Sequence, residues 1–195
     1  MSGPFRGAQG ECMKRLQALL PFLLLAQAGC DGAQASAEAP TTLIVARHAE
    51  RDPGDDPPLN TEGQARAQKL ASVLEQAGVT AIYTTQYLRN RQTAQPLSER
   101  VGVPVTLRDI DFDENDRFAT NLLEDIRLNH RGGVVVVIGH SNGMNREIYQ
   151  QLGGAGTGAN PGPNRYEELY VGTWPADGTP RWIRTTYGGK STLDP

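Results

Sequence analysis

From Thr42 onward, short apolar runs alternate with amphipathic stretches. Thr42 to Ala46 (Thr-Leu-Ile-Val-Ala) is brief, apolar and β-branched, which predicts a buried strand. Asp52 to Pro58 is packed with Pro, Gly and Asp and predicts a loop. Thr61-Glu62-Gly63 then opens a helix to about Gln76, with Ala65, Leu70, Val73 and Leu74 as its apolar stripe and Gly78 ending it. Ala81 to Thr84 reads as a strand, Arg89 to Val101 as a helix, and Val103 to Leu107 as a strand. Asp116 to His130 carries Phe118, Leu122, Leu123 and Ile126 at helical spacing. Val134 to Ile138 is an unbroken apolar strand, Asn142 to Leu152 a helix, and Glu168 to Val171 and Arg181 to Thr186 two late strands.

Strand–helix alternation with nearly continuous apolar strands predicts an α/β fold of three layers, α/β/α, around a mostly parallel central sheet. Ligands in such sheets bind beyond the carboxyl ends of the strands. Arg47-His48 directly follows the first strand, Arg89 follows the second by a short loop, and Gly139-His140 ends the strand Val134 to Ile138. Three distant segments therefore deliver cationic or imidazole side chains to one edge.

The first thirty residues follow a different pattern. Met13-Lys14-Arg15 precedes an apolar run from Leu16 to Gly29, the layout of a secretory signal, and translation is expected to start at Met13. The run is shorter than the roughly 20 residues that span a bilayer. Gln27-Ala28-Gly29-Cys30 resembles the lipobox of bacterial lipoproteins, although Gln27 stands where that motif prefers Leu. The resemblance implies lipidation of Cys30 and attachment to a membrane through it, with a periplasmic or cell-envelope location; the alternatives are ordinary cleavage near Ala28 or further on, and an uncleaved tail. Residues 1–30 are thus read as an export segment, 31–41 as a flexible tether rich in Ala, Ser, Gly and Pro, and 42–195 as one domain. Cleavage before Cys30 removes Cys12, so no intrachain disulfide is expected. It also removes more basic than acidic residues from a chain that is already acidic, with a formal charge of −3. An acidic domain without basic runs is a poor nucleic-acid binder.

The residues at the sheet edge form a recognisable set. Arg47-His48-Ala49-Glu50 resembles the Arg-His-Gly/Ala signature of the histidine phosphatase superfamily, which includes the phosphoglycerate mutases. Leu59-Asn60-Thr61-Glu62-Gly63 is similar to its Leu-Thr-x-x-Gly helix opening, and Arg89-Asn90-Arg91-Gln92-Thr93-Ala94 to its Arg-Ala-x-x-Thr-Ala segment. Val137 to Asn142, with Gly139-His140, resembles the strand end that carries the second histidine. Each piece alone is weak, but four in order across Thr42 to Leu152 are specific. The resemblance implies a phosphoglycerate mutase-like fold, a phosphoryl acceptor at His48, and phosphate binding by Arg47, Arg89 and His140. It implies no cofactor and a small phosphorylated substrate, and no cluster of metal ligands is evident.

The chemistry agrees with these residue types. A phosphoryl group in flight spreads negative charge over its oxygens, so it needs several fixed positive donors and one nucleophile. Arginine pairs two oxygens through a planar fork that stays charged. An imidazole between two arginines is expected to titrate below its ordinary value of about 6.5, which keeps it neutral and nucleophilic. Ester hydrolysis also needs an acid for the leaving oxygen. Asp109, Asp111, Asp113, Glu114 and Asp116 follow the third strand; Asp113 is the choice, with Glu50 second. His130, at the end of a helix and outside any motif, reads as a favourable charge on the helix dipole. The glycines Gly153, Gly154, Gly156, Gly158 and Gly162 follow a helix, which makes them a linker loop rather than a dinucleotide site. Tyr166 to Tyr170 and Trp182 are expected to pack the last strands. Two alternatives share the edge residues: a phosphohistidine protein phosphatase, and a non-catalytic module that holds phosphorylated ligands.

Overall fold

The computed structural model describes residues 39–141, 143–155 and 164–193, all within the unit Ser36–Pro195. The export segment, Cys30 and most of the tether lie outside the described residues, as do Gly156, Gly158 and Gly162.

Eleven elements follow in order: β1 (Thr41–Arg47), α1 (Thr61–Leu74), β2 (Val79–Thr84), α2 (Leu88–Val101), β3 (Val105–Leu107), a 3-10 turn (Phe112–Glu114), α3 (Asn115–Asn129), β4 (Val134–Gly139), α4 (Met144–Gln151), β5 (Glu168–Trp174) and β6 (Arg181–Thr186). They build one six-stranded sheet of order β3-β2-β4-β1-β5-β6. The first strand starts at Thr41, one residue into the segment read as tether, and carries Arg47 within its ladder. The neighbours β3, β2, β4 and β1 are parallel, as the crossover helices require. β5 pairs antiparallel with β1, and β6 antiparallel with β5, because the short connection Pro175–Pro180 permits only a hairpin.

Strand pleating divides the apolar runs between two cores. Leu43, Val45, Val135 and Val137 point to the layer holding Leu122, Ile126, Met144 and Ile148, on α3 and α4. Ile44, Ala46, Val136 and Ile138 point to the opposite layer, against Leu70 and Leu74 of α1 and Leu97 of α2. Burial on both faces is the physical reason that β1 and β4 show no polar alternation.

The stripe expected on α1 needs correction. Leu70 and Leu74 are buried, but Ala65 and Val73 face outward, and the buried positions are Gly63, Arg66, Ala67 and Ala71. The helix is rotated so that Arg66 meets Glu50. Arg66 donates from Nε to both Glu50 oxygens, at 2.7 and 2.8 Å, and from Nη1 and Nη2 to the carbonyls of Tyr187 and Gly189. This buried pair ties the segment after β1, α1 and the C-terminal segment together.

The opening of α1 lies directly on that same segment. Asn60 caps the helix by accepting from the Gly63 amide, and its own amide donates to the Glu50 carbonyl. A Cβ on Gly63 would lie 2.0 Å from the Glu50 carbonyl oxygen, which explains the glycine of the Leu59–Gly63 motif. Gly63→Ala is therefore expected to lower unfolding free energy by about 1–3 kcal/mol or more, read from urea denaturation. Wild-type stability in that variant would show that the helix shifts freely and that the approach is not a constraint.

Candidate active site

The chain leaves β1 through α1 toward β2 on one side, and leaves β4 through α4 toward β5 on the other. β1 and β4 are adjacent, so their carboxyl ends flank a switch point where a crevice opens. Their register pairs Arg47 with Gly139, and the His48 amide continues the ladder by donating to the Gly139 carbonyl at 3.0 Å. His48 and His140 are each the next residue on neighbouring strands. Their ring centroids are 5.5 Å apart, and both are buried.

A second element is pinned onto this pair. The first turn of α2 brings Arg89 to the edge, anchored by Asn90 and Thr93. Asn90, fully buried, donates from Nδ2 to the carbonyls of Ile138 and Gly139 at 3.1 and 3.2 Å. Thr93 Oγ1 accepts from the Ala49 amide at 2.9 Å and donates to the Arg89 carbonyl at 2.7 Å. The Arg-Asn-x-x-Thr spacing thus places one side chain in the crevice and uses the other two to hold α2 against β4 and the His48 loop. Gly139 is needed for a similar reason, since a Cβ there would meet Asn145 Oδ1 at 2.0 Å.

Four predicted residues therefore meet: Arg47, His48, Arg89 and His140, all 8% exposed or less. The His48 ring lies 2.8 Å through Nδ1 from the Ala49 carbonyl oxygen. That oxygen can only accept, so Nδ1 carries the proton and Nε2 keeps its lone pair. Burial holds His48 well below the ordinary histidine range, and the neighbouring Arg47 charge adds to it. His140 is pushed down to about 3 by burial and then by Arg89 and Arg47. Its Nε2 is 2.9 Å from Thr85 Oγ1, and the rings of Tyr87 and Phe112 meet it edge-on at 5.3 and 4.9 Å. Arg47 and Arg89 are also lowered, chiefly by desolvation.

Tyr166 is the residue that the sequence reading misplaced. Tyr170 does pack in the core below β5, and Trp182 packs against Tyr149. Tyr166 instead turns into the crevice. Its ring centroid lies 4.0 Å under the Arg47 guanidinium, its hydroxyl accepts from Arg47 Nη2 at 3.3 Å, and its ring is 5.9 Å from His48. No motif surrounds it, so only the path of the chain into β5 could reveal it.

The acidic candidates separate clearly. Asp113 lies on the 3-10 turn whose Phe112 touches His140, and it is exposed. Glu50 is fully buried with both oxygens accepting from Arg66, which gives it a structural role in place of the acid role considered for it. His130 caps α3 and meets the Tyr83 hydroxyl at 2.8 Å, while that hydroxyl donates to Asp125, away from the crevice. Gly153 and Gly154 end α4, and Gly154 lies against the Tyr149 ring. Among the described residues, no group of three or more His, Cys, Asp or Glu side chains is placed to hold a metal ion.

An α/β sheet that gathers two guanidiniums and two neutral imidazoles at its switch point defines a class of protein built to receive a phosphate-like anion. Residues 43–116 match the profile of the histidine phosphatase superfamily (branch 1). No curated protein sequence matches the chain. Among solved structures, a mycobacterial glucosyl-3-phosphoglycerate phosphatase bound to inorganic phosphate superposes with a TM-score of 0.59 at 17% identity, over 78% of this chain and 99% of that one. A protein of Agrobacterium tumefaciens assigned as the phosphohistidine phosphatase SixA gives 0.57 at 21% identity, over 77% and 98%. The protein histidine phosphatase SixA complexed with tungstate gives 0.55 at 16%, over 74% and 96%. At these identities the likeness is one of fold. The matched segment, less than half of the chain, is similar to that superfamily, and the superpositions show the shared fold.

The low imidazole values have a consequence for stability. In the unfolded chain both histidines take up a proton near 6.5, whereas the folded chain keeps them neutral below that. The unfolded state then binds more protons, so stability is intact above about pH 6.5 and declines as pH falls toward 3. Thermal unfolding between pH 7 and 4 is expected to show a falling Tm, and His140→Gln should flatten that slope. An unchanged slope in His140→Gln would remove His140 as a contributor.

Proposed function

We propose that this chain is a metal-independent phosphatase that hydrolyses phosphomonoesters or phosphoramidates through a phosphohistidine on His48. The observation that carries the reading is the His48 ring itself. Its Nδ1 proton is given to a backbone carbonyl, and its unprotonated Nε2 is set among Arg47, Arg89 and His140. A pure binding site has no need of a neutral nucleophile in that position, which disfavours the non-catalytic reading.

Nε2 of His48 attacks phosphorus, and the bond from phosphorus to the leaving oxygen or nitrogen breaks. Arg47, Arg89 and His140 hold the three peripheral oxygens, where charge concentrates in the transition state. Asp113 gives the leaving group its proton, then takes one from the water that attacks the phosphohistidine and returns His48 to its starting state. A phosphoramidate nitrogen leaves with less help from that acid than an alkoxide does. The phosphate, VO3 and tungstate bound in structures of the superposed phosphatases support an oxyanion as the ligand of this crevice. The proposal includes export, with Cys30 as a lipid attachment point in the cell envelope, on the basis of the Met13 to Cys30 pattern. Mass spectrometry of the protein recovered from membranes tests that part: an unmodified Cys30 preceded by Gly29 would refute it.

The central test assays the purified protein against a panel of phosphomonoesters in the presence of EDTA, alongside His48→Ala. Hydrolysis is expected to persist with EDTA and to fall to background in the variant. Because His48 is already neutral, kcat/KM should show no acid-side loss centred near pH 6.5. Acid quenching during turnover should trap an acid-labile phosphoryl group on His48. Equal activity in His48→Ala, or loss with EDTA, would refute the mechanism.

A further inference from the structure

The hydroxyl of Tyr166 carries a proton that no protein group receives. Tyr166 is 5% exposed, and its oxygen accepts from Arg47 Nη2 at 3.3 Å. Among the described residues, its own O–H donates to no side chain or carbonyl. Buried tyrosine hydroxyls ordinarily find a partner, because an unused O–H forgoes the hydrogen bond it made with water. A phenylalanine would supply the same ring face to Arg47, so the hydroxyl points to a ligand.

The residue is held from both sides along the chain. Asn164 donates from Nδ2 to the Leu193 carbonyl at 2.9 Å, Arg165 pairs with Glu168 at 2.6 Å, and the Glu167 carbonyl accepts from the Tyr187 amide at 2.8 Å. Glu168 is buried and also accepts from Tyr170 and Arg184. The phenol is therefore set in place before a ligand arrives, which is what a transition-state donor requires.

Its position beside the nucleophile decides which ligand atoms it can reach. The Tyr166 ring centroid lies 5.9 Å from that of His48 and 4.0 Å from the Arg47 guanidinium carbon. In an in-line attack the incoming nitrogen and the leaving atom occupy opposite sides of phosphorus, with the three peripheral oxygens around the axis between them. A group that flanks the nucleophile and is bonded to Arg47 faces the peripheral oxygens, and the leaving atom lies on the far side. Accepting from a cation also polarises the O–H and strengthens it as a donor.

We propose that Tyr166 is a further catalytic residue, whose hydroxyl donates a hydrogen bond to a peripheral oxygen of the phosphoryl group as it passes to and from His48. No proton is transferred: the O–H bond stays intact, and the leaving group is protonated elsewhere. Each phosphoryl oxygen has lone pairs for more than one donor, so Tyr166 adds to Arg47, Arg89 and His140 and replaces none of them. This role rests on the phosphatase reading above.

Hydrolysis of p-nitrophenyl phosphate and phenyl phosphate, whose leaving groups differ in their need for an acid, is compared in the wild type, Tyr166→Phe and Tyr166→Leu. Calorimetry measures vanadate binding by the same three proteins, and circular dichroism checks their fold. In Tyr166→Phe, which keeps the ring under Arg47, kcat/KM is expected to fall about 10- to 100-fold, by the same factor on both esters, with vanadate binding weakened to a similar extent. Tyr166→Leu, which also removes the ring, should lose at least as much. Wild-type rates in Tyr166→Phe overturn the role, and a loss confined to Tyr166→Leu would leave the ring as a support for Arg47 alone. A reduced rate with unchanged vanadate affinity overturns it too. So does a loss several-fold larger on phenyl phosphate, which marks an acid acting on the leaving oxygen. Where the wild type gives only one of the two readouts, that readout decides. A wild type that neither hydrolyses the esters nor binds vanadate defeats the phosphatase reading itself, and the role of Tyr166 with it.

Discussion

The parallel ladder between β1 and β4 is the constraint on which the site depends. Its register sets Arg47 opposite Gly139, so the next residue on each strand is a histidine at the same height. A slip of one residue would send one imidazole to the wrong face of the sheet. Register is strongly specified here because both strands are apolar on both faces, with two separate cores reading alternate residues. Packing energy far from the crevice therefore fixes the geometry of its two rings. The short side of Gly139 lets Asn145 and Met144 come close beneath the second histidine, which a Cβ would prevent.

Charge is the second constraint. Burial lowers the pKa values of Arg47, Arg89 and both histidines, and neighbouring guanidinium charges lower them further. Aromatic faces offset part of this, alongside the Asp56 carboxylate that pairs with Arg89 at 3.1 Å. Tyr166 lies under Arg47 and Tyr87 lies under Arg89, each offering a negative ring face without a formal charge. A carboxylate in those places would compete with an incoming phosphate. The buried carboxylate of Glu50 is held by Arg66 beyond the segment that follows β1, where it braces the backbone.

The order of strands and helices, and the four residues that meet at the edge, were legible in the sequence because they rest on local signals. Apolar runs mark β1 and β4, and each key side chain follows its strand directly or by a short loop. The rotation of α1 was not legible, since Arg66 enters a buried face only through a partner sixteen residues away. Reading Ala65 and Val73 as core followed from hydrophobicity alone, which cannot see an ion pair that overrides it. Tyr166 was missed for a related reason. Its role comes from a pairing across 119 residues, and nothing about a tyrosine before a strand indicates a cation beneath it. The antiparallel edge was open to reading from the short β5–β6 connection, but the placement of β5 against β1 was not. Export and lipidation stand on the sequence pattern alone, because they fall outside the described residues.

Asn90 and Thr93 show how a motif divides its labour. The segment from Arg89 to Thr93 is one helical turn, which puts Arg89 and Thr93 on the same side of α2 while Asn90 faces β4. Thr93 then touches both the backbone of Arg89 and the amide that follows His48. A displacement of α2 along its axis would break all of these bonds at once, so Arg89 cannot drift relative to His48. Only one of the three side chains is available to an anion, and the other two determine where that one stands. The same logic applies to Asn60 and Gly63, which hold the opposite side of the segment after β1 through the Glu50 backbone. The residues that would meet phosphate are few, and most of the motif consists of the bonds that keep them from moving.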